Sequence, residues 1–362
     1  MKLTDEKVVV CGGGGFIGGH LAGYLLSSGV DVVRAVDVKP LRDWHQIHDG
    51  VENVVADLKA LRSCEEAVDG ADVVFNLAAD MGGMGFIENN KALCMLSVLI
   101  NTHLLLAARR QKLSRFFFSS SACVYNADLQ RDSNGAALKE SDAYPALAED
   151  GYGWEKLFSE RMCRHFEEDF GVECRIARYH NVYGPFGTWT GGREKAPAAI
   201  CRKVLEAMHS GKHEIEIWGD GHQTRSFMYI DDCLKGTQMI VESDIHEPIN
   251  LGSSELTTIN QLVDIAEGFA GIKLKRRYNL AAPKGVNGRN SDNTLIRNYL
   301  EWEPSMPLVD GLRKTYDWIE SEMLAADGKR QGETWHERSG AAYEPVSESL
   351  APILYSTEPA LL

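Results

Sequence analysis

Short apolar runs alternate along the chain with longer stretches in which apolar residues recur every three to four positions, the pattern of strands and helices taken in turn. The runs Val8–Cys11, Val32–Val36, Asn53–Ala56, Val73–Leu77, Arg115–Ser119 and Glu173–Ala177 predict strands. Helices are expected between them, one from His20 to about Ser28, and two more, Lys91–Arg110 and Gly153–Phe166, that are unusually apolar for surface helices. Such βαβ units build a parallel, doubly wound sheet, so the expected class is α/β. Apolar helix faces that one copy would leave uncovered predict a two-fold homodimer. From about Arg178 the pattern loosens, and the Gly/Pro-rich loops Tyr183–Gly192 and Ala281–Asn290 suit substrate contacts. The expected division is a nucleotide-binding domain at 1–177, a smaller α/β substrate domain at 178–326 with some segments returning to the first, and a tail at 327–362 with no assignable role.

The first strand runs directly into Gly12-Gly13-Gly14-Gly15-Phe16-Ile17-Gly18-Gly19. Gly12, Gly15 and Gly18 have the spacing of a Rossmann turn, in which glycines let backbone N–H groups approach a pyrophosphate at a helix N-terminus. Phe16 and Ile17 lie inside that motif and count as cofactor contacts. The second strand ends at Asp37, about 20 residues on, where a carboxylate accepts ribose hydroxyls and repels a 2′-phosphate. This predicts NAD rather than NADP. Asp57 and Ala78, just past the third and fourth apolar runs, are further candidate contacts.

Tyr152 and Lys156 are four residues apart, so on a helix they share a face, and the ammonium is expected to lower the phenol's pKa. Tyr152 is then a general base. The hydroxyl of Ser121, at the end of the fifth strand, would hold the same substrate oxygen while a hydride leaves the carbon. Nicotinamide is the natural acceptor.

Composition narrows the class of partner. With 52 acidic against 38 basic residues the net charge is −14, which disfavours nucleic acid. The eight cysteines are scattered without CxxC pairs and read as reduced core residues, so neither a disulfide framework nor a metal site is expected. No run reaches the ~18 apolar residues of a membrane span, and the N-terminus lacks a signal-peptide core, so a cytoplasmic enzyme is expected. An acidic protein that binds an anionic ligand needs a local cationic pocket. Lys203, Arg225 and Arg289 are the phosphate candidates, with Gln223 beside Arg225 in the WGDGxQxR segment.

These motifs, together with Asn76–Phe86, Arg178–Trp189, Gly191–Ala199, Trp218–Phe227 and Gly288–Asn293, make the chain resemble the extended short-chain dehydrogenase/reductases from about residue 8 to 320. More narrowly, Cys123, Lys195 and the Met81-Gly82-Gly83-Met84-Gly85 loop resemble the GDP-mannose 3,5-epimerase family. The resemblance implies epimerisation of a nucleotide sugar, GDP-D-mannose at C3 and/or C5, through a transient 4-keto sugar with bound NAD. A C4 ketone acidifies the protons on both neighbouring carbons, and inversion needs one acid–base group on each face. The family's division makes Cys123 the base and Lys195 the acid, with Gly82, Ala122 and Asn181 among the sugar contacts. Cys123 is expected to be lowered by its surroundings, and Lys195 to be lowered by burial and by Arg193. Without the resemblance, Cys123 reads as a small core residue and Lys195 as a phosphate contact.

Ala122-Cys123 cannot supply the Asp-Glu pair that dehydratases place after the Ser/Thr, so dehydration is disfavoured. The alternative is a UDP- or GDP-sugar 4-epimerase, which needs no second acid–base pair and usually has Thr at the position of Cys123. A non-catalytic NAD sensor of the same superfamily generally lacks the Tyr and Lys that stand here. Asn126 departs from the plant-type members, which have Pro there.

Overall fold

The computed structural model describes residues 1–328, so the expected tail lies almost wholly outside the described residues. The first half lays down β1 (Lys7–Cys11), β2 (Val32–Asp37), β3 (Glu52–Val55), β4 (Val73–Asn76), β5 (Arg115–Ser121) and β6 (Cys174–Tyr179). Between them run α1 (Phe16–Ser27), α2 (Leu61–Ala67), α3 (Met84–Asn89), α4 (Lys91–Met95), α5 (Val98–Gln111) and α6 (Asp150–Phe170). The second half adds β7 (Val182–Tyr183), β8 (Glu214–Trp218), β9 (Thr224–Ser226), β10 (Met228–Tyr229), β11 (Ile249–Leu251), β12 (Leu256–Thr258), β13 (Lys275–Asn279) and β14 (Gly288–Arg289). Its helices are α7 (Ala196–Ser210), α8 (Ile230–Glu242), α9 (Ile259–Ala270), α10 (Thr294–Leu300) and α11 (Leu308–Gly328).

Seven strands form one parallel sheet in the order β11-β6-β5-β4-β1-β2-β3. The strand order reverses at β1, between β4 and β2, which opens a crevice at the carboxyl ends of the strands where α/β sheets bind their ligands. Strands covered on both faces are largely apolar, and β4, β5 and β6 are buried along almost their whole length, with Arg115, Arg175 and Arg178 the buried charges. Phe116, Phe117 and Phe118 of β5 are nearly inaccessible, each worth about 1.5–3 kcal/mol of burial. They fix the strand whose last residue is Ser121.

The strand expectations hold to within about two residues at each end, and the differences are informative. α1 begins at Phe16 rather than His20, because Gly15 is an extended N-cap and the glycines after it sit inside the first turns. The Lys91–Arg110 stretch is broken at Leu96–Ser97 into α4 and α5, and α6 is longer than expected, from Asp150 to a left-handed Gly171. Taken as one stretch, Lys91–Gln111 holds an 18-residue window of mean hydropathy 1.6, long and apolar enough by length and composition alone to cross a membrane. The expectation is of no run of ~18 apolar residues, and Asn101, Thr102 and His103 do interrupt this one, but without adding charge, so the window average stays high. Its Ile100, Leu104, Leu105, Ala107 and Ala108 pack into the sheet core, as in a core helix.

The expected boundary at 177 falls inside β6, and β11 returns to pair with it. Residues 1–321 form one unit, and a second begins at Glu322 in the last turns of α11.

Candidate active site

The glycine turn is built by close approach. Gly12 has φ of 86°, and a Cβ there would meet the backbone of Leu77 and Ala78 at 2.9 Å. A Cβ on Gly18 would lie 2.1 Å from the carbonyl oxygen of Gly12, and one on Gly13 2.6 Å from Ala35. Gly15 donates to Gly12 O at 3.0 Å, closing the turn onto α1. Asp37 is buried at the end of β2, accepting from Gly14 N at 3.1 Å and Lys39 N at 3.0 Å. A carboxylate has about four lone-pair sites, so two remain for ribose hydroxyls. This bare backbone cradle, with an acid beside it, fits a dinucleotide. Ala78 lines the turn, Ile17 continues it, and Phe16 packs against Gly184 and Gly187. Asp57 is exposed in the turn after β3, accepting from Lys59 N.

Beyond the pyrophosphate end of the crevice, β5 delivers Ser121 and α6 delivers Tyr152. The buried Arg178 of β6 grips Glu160 of α6 through two bonds of 2.9 and 2.7 Å, locking the helix to the sheet. α6 also approaches the 122–124 turn so closely that a Cβ on Gly153 would stand 2.3 Å from the carbonyl oxygen of Cys123. The glycine inside the Tyr152–Lys156 motif is therefore there for packing. Lys156 sits with Nζ 4.7 Å from the Phe118 ring centre, 5.6 Å from the Tyr152 ring and 3.8 Å from Glu155 Oε2. The expected lowering of Tyr152 is not delivered by the protein's own groups. Burial, then Cys123 and Glu155, push the phenol up, with Ser121 opposing, while part of the Lys156 charge is spent on Glu155.

Cys123 lies in the one-turn helix after β5, its amide donating to Ser121 Oγ at 3.2 Å. It packs with Tyr152, Phe86, Ile87 and Cys94. Arg289 of β14 points Nη1 at its sulfur at 3.5 Å, Nε at Gln130 Oε1 at 2.6 Å and Nη2 at Glu149 Oε2 at 2.7 Å. The expected lowering of the thiol is overturned: burial and then Glu149 raise it, with Arg289 and Ser121 opposing. Glu149 itself resists the upward push of burial, because Arg289 holds its carboxyl below the ordinary value. Neither Glu149 nor Gln130 was singled out by any motif; only the position of Glu149 three residues before Tyr152 pointed towards it.

Lys195 stands at the N-cap of α7, half-buried, and burial lowers its ammonium. The positive end of the helix dipole acts in the same direction. Arg193 is not a cause, since its guanidinium lies 3.8 Å over the Phe86 ring. The Met81–Gly85 loop docks on this segment: Gly83 N donates to Arg193 O at 3.0 Å, and a Cβ on Gly83 would meet Glu194 O at 2.5 Å. A Cβ on Gly82 would be 2.9 Å from Phe86. The two loops carrying the most distinctive residues are thus one packed surface beside Cys123 and Ala122.

The phosphate candidates are less free than expected. Lys203 Nζ donates to Glu216 O at 3.0 Å, and burial lowers it. Arg225, pushed down to about 10 by burial and by Arg289, donates to the carbonyls of Thr224, Lys284 and Val286. Arg289 faces the thiol. Gln223 donates to Trp218 O at 2.7 Å, while its buried Oε1 has no partner. Asn181, at φ of 39°, gives its amide to Ser226 O at 3.0 Å. Asn126 bonds Pro145 O and Asp128 N, so the departure from Pro serves a local cap.

A family model for the NAD dependent epimerase/dehydratase family matches residues 8–252, and the chain belongs to that family. NAD is accordingly its cofactor, the group that the glycine turn and Asp37 fit. Within the family, it is 45% identical over 324 residues to GDP-mannose 3,5-epimerase 1 of Oryza sativa subsp. japonica, covering 88% of this chain and 82% of the relative. It is 44% identical to GDP-mannose 3,5-epimerase of Arabidopsis thaliana, covering 88% and 83%. The fold matches the crystal structure of UDP-glucose 4-epimerase from Thermotoga maritima with TM-score 0.78 at 23% identity, over 88% of this chain and 99% of that one.

Proposed function

We propose that this protein epimerises GDP-D-mannose at C3, C5 or both, giving GDP-L-galactose or GDP-L-gulose. The carrying observation is the pairing of a buried thiol, Cys123, with a half-buried amine, Lys195, on separate segments beside Ser121 and Tyr152. A 4-epimerase needs no such pair. The likeness to enzymes named for the 3,5-reaction supports the same reading.

Ser121 and Tyr152 hold the C4 hydroxyl, and Tyr152, with Lys156 behind it, takes its proton. When bound, oxidised NAD supplies a hydride acceptor and a positive charge. The C4 ketone acidifies C3–H and C5–H. Cys123 as thiolate removes the carbon-bound proton, and Lys195 as ammonium delivers one to the opposite face, leaving a thiol and a neutral amine that exchange protons with solvent before the next cycle. Tyr152 would return its proton to the C4 oxygen, and with the bound NAD regenerated the whole is an isomerisation with no net redox change. In this reading Gln223 and Arg225 meet the diphosphate, and Gly82, Ala122 and Asn181 line the sugar.

The exposed Leu96, Leu99, Trp154 and Phe158 on α4–α6 suit a homodimer, and eight free, buried cysteines suit a reducing cytoplasm. Incubation with GDP-mannose in deuterated water tests the reaction: deuterium at C3 or C5, with inversion, is expected. Inversion at C4 alone would assign it to the 4-epimerases.

A further inference from the structure

The acid–base centre contains a carboxylate that the reaction above does not use. Glu149 is the N-cap of α6, its amide donating to the Cys123 carbonyl at 2.9 Å and its own carbonyl accepting from Gly153 at 2.8 Å. Its backbone thus welds the Tyr152 helix to the Cys123 turn. Its side chain, 11% exposed, grips Arg289 at 2.7 Å, and the same guanidinium reaches the sulfur at 3.5 Å. Carboxylate, guanidinium and thiol form one contact cluster across three segments, with the carboxylate also within hydrogen-bond reach of the thiol.

We propose that Glu149 is a positioning residue that governs when Cys123 gives up its proton, acting through the Arg289 guanidinium that it holds against the sulfur. The inference rests on Cys123 being the base of the proposed epimerisation. The groups around the sulfur are Glu149 and Tyr152 from α6, Arg289 from β14, Arg225 from β9, Ser121 from β5, Cys94 from α4 and Lys195 from the start of α7. Among these, Arg289, Arg225 and the Lys195 ammonium favour a thiolate, and Glu149 alone brings a fixed negative charge. With Glu149 and Lys195 ionised, the cluster of two arginines, one lysine and one carboxylate carries +2 while Cys123 is a thiol, and +1 once it ionises. Without that carboxylate the resting cluster carries +3, and loss of the thiol proton is favoured further. Glu149 therefore restrains the thiolate while fixing the guanidinium that stabilises it. The resting cysteine stays protonated, protected from alkylation and oxidation until the positive charge of an oxidised nicotinamide is beside it.

The test is the pH dependence of iodoacetamide alkylation at Cys123 in the purified full-length protein, read from the Cys123 peptide by mass spectrometry. Glu149→Gln keeps the hydrogen bond to Arg289 and removes the charge. Its midpoint should fall by about one pH unit, roughly tenfold faster alkylation below both midpoints. Arg289→Gln should move the midpoint upward. If Glu149→Gln does not fold, Glu149→Asp serves, drawing the carboxylate back by one methylene and lowering the midpoint by less. A midpoint in either Glu149 variant at or above wild type overturns the inference, as does a downward shift in Arg289→Gln. The ascending limb of the turnover profile should follow the alkylation midpoint, a movement that a purely structural role would not produce. Because alkylation needs no sugar, a shifted midpoint with no turnover of GDP-mannose would sink the substrate reading and leave this inference standing.

Discussion

The cofactor turn and the acid–base centre are specified in opposite ways. The first is one contiguous stretch, residues 12–37, in which backbone meets backbone and nearly every requirement is the absence of a side chain. The second draws Ser121, Cys123, Glu149, Tyr152, Lys195, Arg225 and Arg289 from six separate elements, and its properties depend on the sum of buried charges. Local sterics can be read one residue at a time. The ionisation of a buried thiol cannot, because Arg289 and Glu149 pull it in opposite directions and only their placement decides the balance.

The largest expected effects lie in the second region. Tyr152→Phe should retain NAD and GDP-mannose binding yet lose turnover by roughly 10²-fold or more, the range for a positioned acid–base group. Near-normal turnover would remove the redox step from this site. Cys123→Ser should abolish deuterium entry at C3 and C5 while hydride transfer to NAD, followed by absorbance, persists. Lys195→Met should differ, because Cys123 can remove and return a proton on one face, so deuterium enters without inversion. Wild-type inversion in both variants would end the two-base mechanism.

The pH profile follows from the same burial. Cys123 must be a thiolate and Lys195 an ammonium. Burial raises the first and lowers the second, so the rate should climb as pH passes the thiol's pKa and fall as it passes the amine's. The ascending limb belongs above the ordinary thiol value of about 8.5, and the descending limb below the ordinary lysine value of about 10.4. A kcat maximum on the acid side of neutrality would show that these groups do not set the rate.

The difference between the regions also explains what was legible in the sequence. Gly12, Gly15, Gly18 and Asp37 announce themselves because a Rossmann turn tolerates few other residues, and the buried strands show through apolar runs such as Val8–Cys11 and Val73–Phe75. The start of α1 was misplaced at His20 because glycines inside a helix obscure its first turn. In the acid–base centre, residue types were legible but states were not. Cys123 and Tyr152 are raised where lowering was expected, since a sequence does not say that Glu149 and Glu155 face them or that Lys156 is shared. Arg289 is read from sequence as a phosphate contact, and nothing in Gly288-Arg289-Asn290 indicates that a sulfur also lies 3.5 Å away.

A smaller, steric effect is expected in the cofactor turn. Gly18→Ala places a Cβ where the Gly12 carbonyl stands, at 2.1 Å, and the turn must open. The expected loss is about 1–3 kcal/mol of stability together with weakened NAD retention, measured by thermal unfolding and by the nicotinamide that copurifies. Unchanged values in both would mean that the turn is not held by that approach.

The smallest effect belongs to Asp37, where the turn borrows the logic of charge from the other region. Its carboxylate repels a 2′-phosphate, but the neighbouring Lys39, whose Nζ donates to Gly14 O at 2.7 Å, sets a compensating cation on the same loop. Two charges at contact distance near a surface interact by about 1–4 kcal/mol, and a nearby opposite charge cuts that down. Asp37→Asn should therefore relax the preference for NAD over NADP by only about tenfold, roughly 1.4 kcal/mol, read from the two dissociation constants. Lys39→Met should sharpen the wild-type preference by removing the compensation. Equal binding of NAD and NADP by the unaltered protein would show that the carboxylate is fully occupied by Gly14 and Lys39 and selects nothing.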